Sequence, residues 1–310
     1  MVAKTFAGAD STSRIQTRLL TPLILLGLTL WLAPAFGSAA ILFSSDQSGA
    51  PQLYTVNPDG SGLVQITHFP GGAVEGRWSQ DASRIALISA VSQAVPGIPV
   101  PVVVPQLFLC QSDGSGLQPW TMGPGAKGDP HWVPGSGAIV FHLDDSTQSL
   151  WQIPGPGLQA VRLPLLAGPA RHPSIDPTGT VWAYQTLDGG FSGHARIAWG
   201  LWGGVSISVV PDGAGQDSAP EWDPSGTKLA FVHRDDTVGS QLWIFDRSAG
   251  TVIPLTSGAF HCCPVWAPDG QSLACSSFRG GVWSLALVTL AGAETNVPIT
   301  LARPLVCDWR

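Results

Sequence analysis

The sequence predicts an all-β fold, a six-bladed β-propeller of four-stranded blades whose ring is closed by the C-terminal strand. Three observations carry this. Gly (37) and Pro (27) make up a fifth of the 310 residues, against about 12% in average usage. Five stretches align with one another: GRWSQDASRIAL (76–87), PHWVPGSGAIVF (130–141), PSIDPTGTVWAY (173–184), PEWDPSGTKLAF (220–231) and PVWAPDGQSLAC (264–275). Their aligned apolar positions, Phe43, Leu87, Phe141, Tyr184, Phe231 and Cys275, are spaced by 44, 54, 43, 47 and 44 residues, and six repeats over residues 41–310 give 45 residues each. Four short strands per 40–50 residues in tandem is the pattern of propeller blades.

The first 40 residues read differently. Lys4, Arg14 and Arg18 precede the apolar run Leu19 to Leu32, and the small residues Ser38 and Ala40 follow. This is the three-part pattern of a secretory signal. The 14-residue run is shorter than the roughly 20 residues that span a bilayer. Counting through Phe36 gives 18, so an uncleaved anchor over residues 19–36 stays open. Residues 1–40 are thus expected to be a signal peptide or N-terminal membrane anchor, and residues 41–310 the propeller. The protein is placed in the periplasm or outside a bacterium, with membrane contact only through the N-terminal segment if that is retained.

Charge narrows the partners. Only 12% of residues are charged, Lys occurs three times, and the net charge of −6 becomes −8 once residues 1–40 are removed. An acidic chain this poor in Lys is not built to hold nucleic acid. With 44% hydrophobic residues it is not a disordered chain.

Within each repeat, strand A carries Trp78, Trp132, Trp222 or Trp266, with Ile175 in that place in the fourth repeat. An Asp/Gly or Ser/Gly turn follows, where Gly supplies positive φ. Strand B is the apolar run. Strand C carries an aromatic (Tyr54, Phe108, Trp151, Trp199, Trp243, Trp283), and strand D is short and often closes on Thr, as at Thr67 and Thr256. The blades are expected near 41–67 plus 303–310, 76–121, 130–164, 173–210, 220–256 and 264–300. The first repeat lacks strand A, and Trp309 lies 43 residues after Trp266, where the next one is due. Closure by the last strand removes the open edges that invite aggregation.

Segments such as ILFSSDQSGAPQLYTVNPDGSGLVQIT and PEWDPSGTKLAF resemble the TolB-type, WD-like propeller repeat over about residues 41–310. The resemblance implies six blades with strand A innermost, often in the bacterial periplasm. TolB itself carries an α/β domain before its propeller. Here the propeller is read as starting almost at the cleavage site, which speaks against a Tol–Pal role. Such propellers also precede serine-peptidase domains, and the chain is read as ending where the ring closes.

No catalytic motif is found. The stretch Gly190 to His194 misses the last Gly of a G-x-S-x-G elbow, and Walker, HExxH and EF-hand patterns are missing. The pairs Asp144-Asp145 and Asp235-Asp236 read as solvated hairpin turns. No cofactor, metal or catalytic residue is expected.

The inner strand is the informative place. Counted from the Trp position, Pro occupies −2 in four repeats. Polar residues gather at odd offsets: Arg77, His131, Glu221 and Asp308 at −1, Glu75, Asp129 and His172 at −3, Asp217 and His261 at −5. Strand alternation puts these on one side, so they are expected to crowd the channel and one mouth. The expected function is a non-enzymatic, scaffold-like monomer that binds a protein or peptide of the cell envelope there, through Glu75, Arg77, Asp129, His131, His172, Glu221 and His261. The competing reading is a lyase or hydrolase acting on an anionic polymer with a metal on His131, His172 and His261.

Two further features stand out. Residues 90–106, AVSQAVPGIPVPVVVPQ, read as an extended, polyproline-like apolar loop. Five cysteines in an exported chain allow disulfides: hairpin counting offers Cys263–Cys275, and even offsets on neighbouring inner strands offer Cys262–Cys307. The alternative is that Cys110 and Cys275 are buried small apolar residues.

Overall fold

A computed structural model describes residues 39–310 except 95–96, 98, 165–168, 188–192, 205–206, 212–214 and 238. The leader and the near-elbow at 190–194 therefore lie outside, or mostly outside, the described residues. Six antiparallel four-stranded sheets form the ring, and the described residues contain no helix. None is thus long and apolar enough to cross a membrane.

Blade 1 holds β1 (Ile41–Ser45), β2 (Gln52–Val56) and β3 (Val64–Gln65). Blade 2 holds β4 (Val74–Trp78), β5 (Arg84–Gln93), β6 (Val102–Gln111) and β7 (Gln118–Pro119). Blade 3 holds β8 (Ala126–Trp132), β9 (Ile139–Asp144), β10 (Ser149–Ile153) and β11 (Val161–Arg162). Blade 4 holds β12 (Ala170–Ile175), β13 (Val181–Leu187), β14 (Ala195–Leu201) and β15 (Ile207–Val209). Blade 5 holds β16 (Gln216–Trp222), β17 (Lys228–Asp235), β18 (Gly239–Asp246) and β19 (Thr251–Pro254). Blade 6 holds β20 (Phe260–Trp266), β21 (Ser272–Arg279), β22 (Val282–Thr289) and β23 (Glu294–Asn296), and β24 (Leu305–Trp309) completes blade 1 against β1. Ile41 faces Trp309 in that pairing. The ring closes as the spacing of Trp266 and Trp309 requires.

The core lies between blades. Apolar faces of neighbours interlock in six clusters, such as Val265, Ala274 and Leu285 of blade 6 with Ile41, Phe43 and Val306 of blade 1. The strand A Trp adds direction. Trp132 Nε1 donates to Arg77 O and Trp266 Nε1 to Glu221 O, each 2.9 Å away on the preceding blade. The recurring Thr after strand D also has a task. Thr67, Thr121 and Thr256 accept the N–H groups of Leu53, Leu107 and Leu242 at 2.8, 3.0 and 2.9 Å. Each satisfies a buried strand donor where the short outer strand has already ended.

The inner strands depart from simple alternation. In blades 2–6 the register with strand B slips by one residue at offsets −3 and −2. The −3 residues Glu75, Asp129, His172, Ala219 and Cys263 take φ of 54, 52, 48, 49 and 56°. Five repeats of this bulge explain the prolines. Pro130, Pro173, Pro220 and Pro264 sit at −2, where the ladder needs no donor. In blade 2 that place is Gly76, whose added Cβ would lie 2.8 Å from Leu42 and 2.9 Å from Leu53.

The bulge corrects three expectations. Alternation reverses across it, so −5 shares a face with the Trp instead of with −1: Asp217 and Trp222 oppose His233 and Leu229, an even step apart on strand B. Asp217 and His261 are therefore fully buried in the blades. The Cys263–Cys275 bridge is also excluded. Ala267 N–H bonds Ser272 O, a turn one residue longer than counted, and Cys263 lies in the bulge while Cys275 packs on the other sheet face with Leu242 and Trp266. All five cysteines, including Cys262 and Cys307, are free. Finally, residues 90–93 and 102–106 are paired strand instead of an extended polyproline-like loop. β5 and β6 extend to Gln93 and back from Val102 as a paired hairpin, with Val91 opposite Val104. Gln93 and Gln106 anchor its base on Gly123.

Candidate functional site

The channel is divided. Arg77 on blade 2 and Glu221 on blade 5 stand three blades apart, hence diametrically opposite in a ring of six, and their side chains meet at 3.1 Å. This ion pair separates two cups, each of which it lines. Burial works against the Arg77 charge, but Glu221 and Asp308 outweigh it and hold the guanidinium firmly protonated. Burial raises the Glu221 carboxyl, against the pull of Arg77.

One cup, about 220 Å³, opens on the strand A to B turns and is walled by Trp78, Trp132, Trp222, Trp266 and Trp309. Its −1 side chains mainly bind blade to blade. Asp308 accepts the Trp78 N–H at 2.9 Å, His131 Nε2 faces the Ile175 N–H at 3.5 Å, and Ser174 accepts the Trp222 N–H at 3.1 Å. The other ring nitrogen of His131 bonds the Trp132 carbonyl at 3.0 Å. Burial, with Arg77 nearby, pushes His131 down to about 3. It is a neutral latch between blades 3 and 4.

The other cup, about 330 Å³, opens at the strand A N-termini, on the side of the strand B to C hairpins. Its rim is the ring of bulge residues. Asp129 N–H donates to Glu75 Oε2 at 2.7 Å, and His172 N–H to Asp129 Oδ2 at 3.2 Å. In blades 3 and 4 the bulge frees an amide from its own ladder, and the preceding blade's carboxylate takes it up. His172 Nε2 lies 3.4 Å from Asp129 Oδ1, and its Nδ1 lies 2.7 Å from Gln185 Oε1. Glu75 opens to water through the mouth but is walled by protein. That enclosure, and then the Asp129 charge, raises its carboxyl to about 7. Behind the rim His142 Nδ1 stands 3.8 Å from Asp129 Oδ2.

The seven residues singled out from sequence therefore divide. Glu75, Asp129 and His172 share the hairpin-side cup, Arg77 and Glu221 form its floor, and His131 belongs to the Trp-side cup. His261 reaches neither. Its ring is buried in blade 6 between Thr256 Oγ1 at 3.1 Å and Glu294 Oε2 at 3.4 Å. The three histidines thus do not share a site, and among the described residues no group of three His, Cys, Asp or Glu is placed to hold a metal. Asp144 pairs with Arg171 at 3.1 Å, while Asp145 and Asp235 accept the Thr147 and Thr237 N–H of their own turns. Sequence reading missed Ser174, Gln185 and His142. Ser174 is legible as the −1 residue of blade 4, whereas Gln185 and His142 lie on strand B and need the register to be placed.

No family model matches the chain. Over 97 residues it is 32% identical to the uncharacterized peptidase YuxL of Bacillus subtilis strain 168, covering 28% of this chain and only 15% of that protein. TolB from Acinetobacter baumannii superposes with a TM-score of 0.72 at 19% identity, over 87% of this chain and 66% of that one. Oligogalacturonate lyase from Vibrio parahaemolyticus superposes with a TM-score of 0.53 at 14% identity, over 81% and 86%. The chain thus spans a small part of the peptidase and just under two thirds of TolB. These likenesses show the fold: a TolB-like six-bladed propeller, shared by proteins of different activity.

Proposed function

We propose that this chain is a binding module of the bacterial cell envelope, exported by its leader, that takes a protein or peptide segment into the hairpin-side cup. One observation carries the reading. The strand A polar side chains at −1 are engaged between blades or across the ring, whereas Glu75, Asp129 and His172 at −3, linked to one another, gather at an open concavity. Such concavities with a few convergent polar groups are where ligands bind. The acidic balance of the chain favours a basic or amine-bearing segment over an anionic one.

The metal-dependent lyase reading rested on three histidines meeting on the axis, and they lie in three separate places. The test is a pull-down from envelope extract with the wild type and with a Glu75→Gln/Asp129→Asn/His172→Ala variant. A partner held by the wild type and lost by the variant supports the reading, and equal recovery of every partner overturns it. Metal analysis of the purified protein runs beside it. Stoichiometric metal that His172→Ala loses would move the reading to the enzyme.

A further inference from the structure

The ring of −3 residues is two-sided. From blade 2 to blade 4 the −3 position reads Glu75, Asp129, His172. From blade 5 round to blade 1 it reads Ala219, Cys263, Val306, and all six line the same cup. Half of the rim is ionisable and the facing half is apolar. One step deeper, Pro130, Pro173, Pro220 and Pro264 offer no backbone N–H to a ligand. The cup therefore presents carboxylate acceptors on one wall and an apolar surface on the other. Its 330 Å³ sits near the lower limit of ligand pockets, about 300 Å³. A folded loop does not fit; one or two residues do.

Resting on the binding reading above, we propose that the hairpin-side cup recognises a peptide by its free N-terminus, the α-ammonium group lying against Glu75 and Asp129 and the first apolar side chain against Cys263, Pro264 and Val306. In so small a space the positive charge and the apolar group must come from one residue. An N-terminal Val, Ile or Leu carries both on one Cα. A lysine reaches the carboxylates too, but its unbranched stem leaves the apolar wall uncovered. Burial of an ammonium group needs a paired opposite charge, and Glu75 and Asp129 supply it. Arg77 is committed to Glu221 on the floor.

The charge state of the cup gives a second signature. Glu75 is held up to about 7 by the protein walls around it and by Asp129 beside it. His172 and Arg77 face the same carboxyl and pull the other way. An ammonium group set against the carboxylates favours the ionised form, so binding releases a proton. Affinity rises as pH climbs through 7 and falls again once the peptide amine loses its proton, near about 8.

Calorimetry on the full chain at pH 7.5 tests this with Val-Gly-Gly, N-acetyl-Val-Gly-Gly, Gly-Gly-Gly and acetyl-Gly-Lys-Gly-amide. Val-Gly-Gly is expected to bind saturably, with acetylation or Glu75→Gln each lowering affinity at least about tenfold, one charge-assisted contact's worth. Gly-Gly-Gly binds more weakly because the apolar wall stays bare. Val306→Thr, which keeps the shape of the wall, weakens Val-Gly-Gly more than Gly-Gly-Gly. The proposal is overturned by equal affinity of the acetylated peptide, by tighter binding of the lysine peptide, or by no saturable Val-Gly-Gly binding up to about 10 mM. A partner retained in the pull-down but not displaced by Val-Gly-Gly ends this proposal and leaves the binding reading standing.

Discussion

Arg77 and Glu221 join opposite sides of the ring: their side chains, from blades 2 and 5, meet 3.1 Å apart on the axis. Neither residue is exposed by more than a quarter of its side chain, at 23% and 14%. Removing one leaves the other poorly hydrated and unpaired. Arg77→Met is expected to cost about 2–3 kcal/mol, below the range for a fully buried pair because water still reaches the site. The Arg77→Met/Glu221→Leu double variant should recover most of that loss. Urea unfolding of the four proteins measures the coupling, and additive single effects would show that the pair does not bridge the ring.

Glu75 should make stability fall as pH rises from acid to neutral. Its carboxyl is raised in the folded state, to about 7 from an ordinary value near 4.5. The unfolded chain ionises first, so this group weakens the fold progressively as pH rises from 4.5 through 7. Glu75→Gln keeps an oxygen to accept the Asp129 N–H and removes the charge. Its Tm is expected to exceed the wild type at pH 8 and to match it at pH 4.5. A constant difference at both values would exclude the linkage.

At the acid end the histidines dominate. Burial lowers His131 to about 3 and also lowers His142 and His261. Each contributes stability that is present above the unfolded value near 6.5 and lost as pH drops below it. Wild-type Tm should therefore decline from pH 7 to pH 4. His131→Gln should be less stable at pH 7, where the latch to Ile175 is weakened, yet lose less on acidification. A parallel decline of both proteins would remove His131 from the account.

Closure of the ring runs through Asp308, whose carboxylate takes the Trp78 N–H at 2.9 Å and the Trp309 N–H at 2.8 Å. Asp308→Ala leaves both donors unmet in the buried seam, a cost of about 2–4 kcal/mol. Deleting residues 303–310 exposes the edge of β1 and should bring both a lower Tm and aggregation. Unchanged melting and solubility of the truncated chain would contradict the closure.

The thiols should all be free, and Cys110, Cys275 and Cys307 slow to react. Burial raises Cys110 and Cys307 to about 12 and lifts Cys275 further, so little thiolate forms at neutral pH. Intact mass under non-reducing conditions should equal that of the reduced chain. Five alkylations are expected in denaturant, with Cys110, Cys275 and Cys307 protected in the native state. A deficit of two hydrogens would reinstate a bridge.

Blade count, strand order and closure were legible because the Trp, the turn residues and the apolar strand B recur at a near-constant spacing. The candidate cup was half legible. Glu75, Asp129 and His172 were found by offset alone, since the bulge keeps −3 at the rim. His261 was misplaced because counting in twos along a strand assumes an unbroken ladder, and the Cys263–Cys275 bridge because the turn is also one residue longer than counted. Pro at −2 in four repeats already contained the warning, because proline inside a strand marks a bulge. The pairing of Arg77 with Glu221 was out of reach, as it joins residues 144 apart that meet only when the ring has closed.

Six similar blades would let a partner settle in any of six rotational positions. The rim removes that freedom. Its ionisable arc spans blades 2 to 4, and the long β5–β6 hairpin rises from blade 2 alone. A guest that needs both the charged arc and the hairpin finds them together at one angular setting. The ring behaves as a keyed socket, and a pseudo-symmetric scaffold acquires a single orientation for whatever it holds.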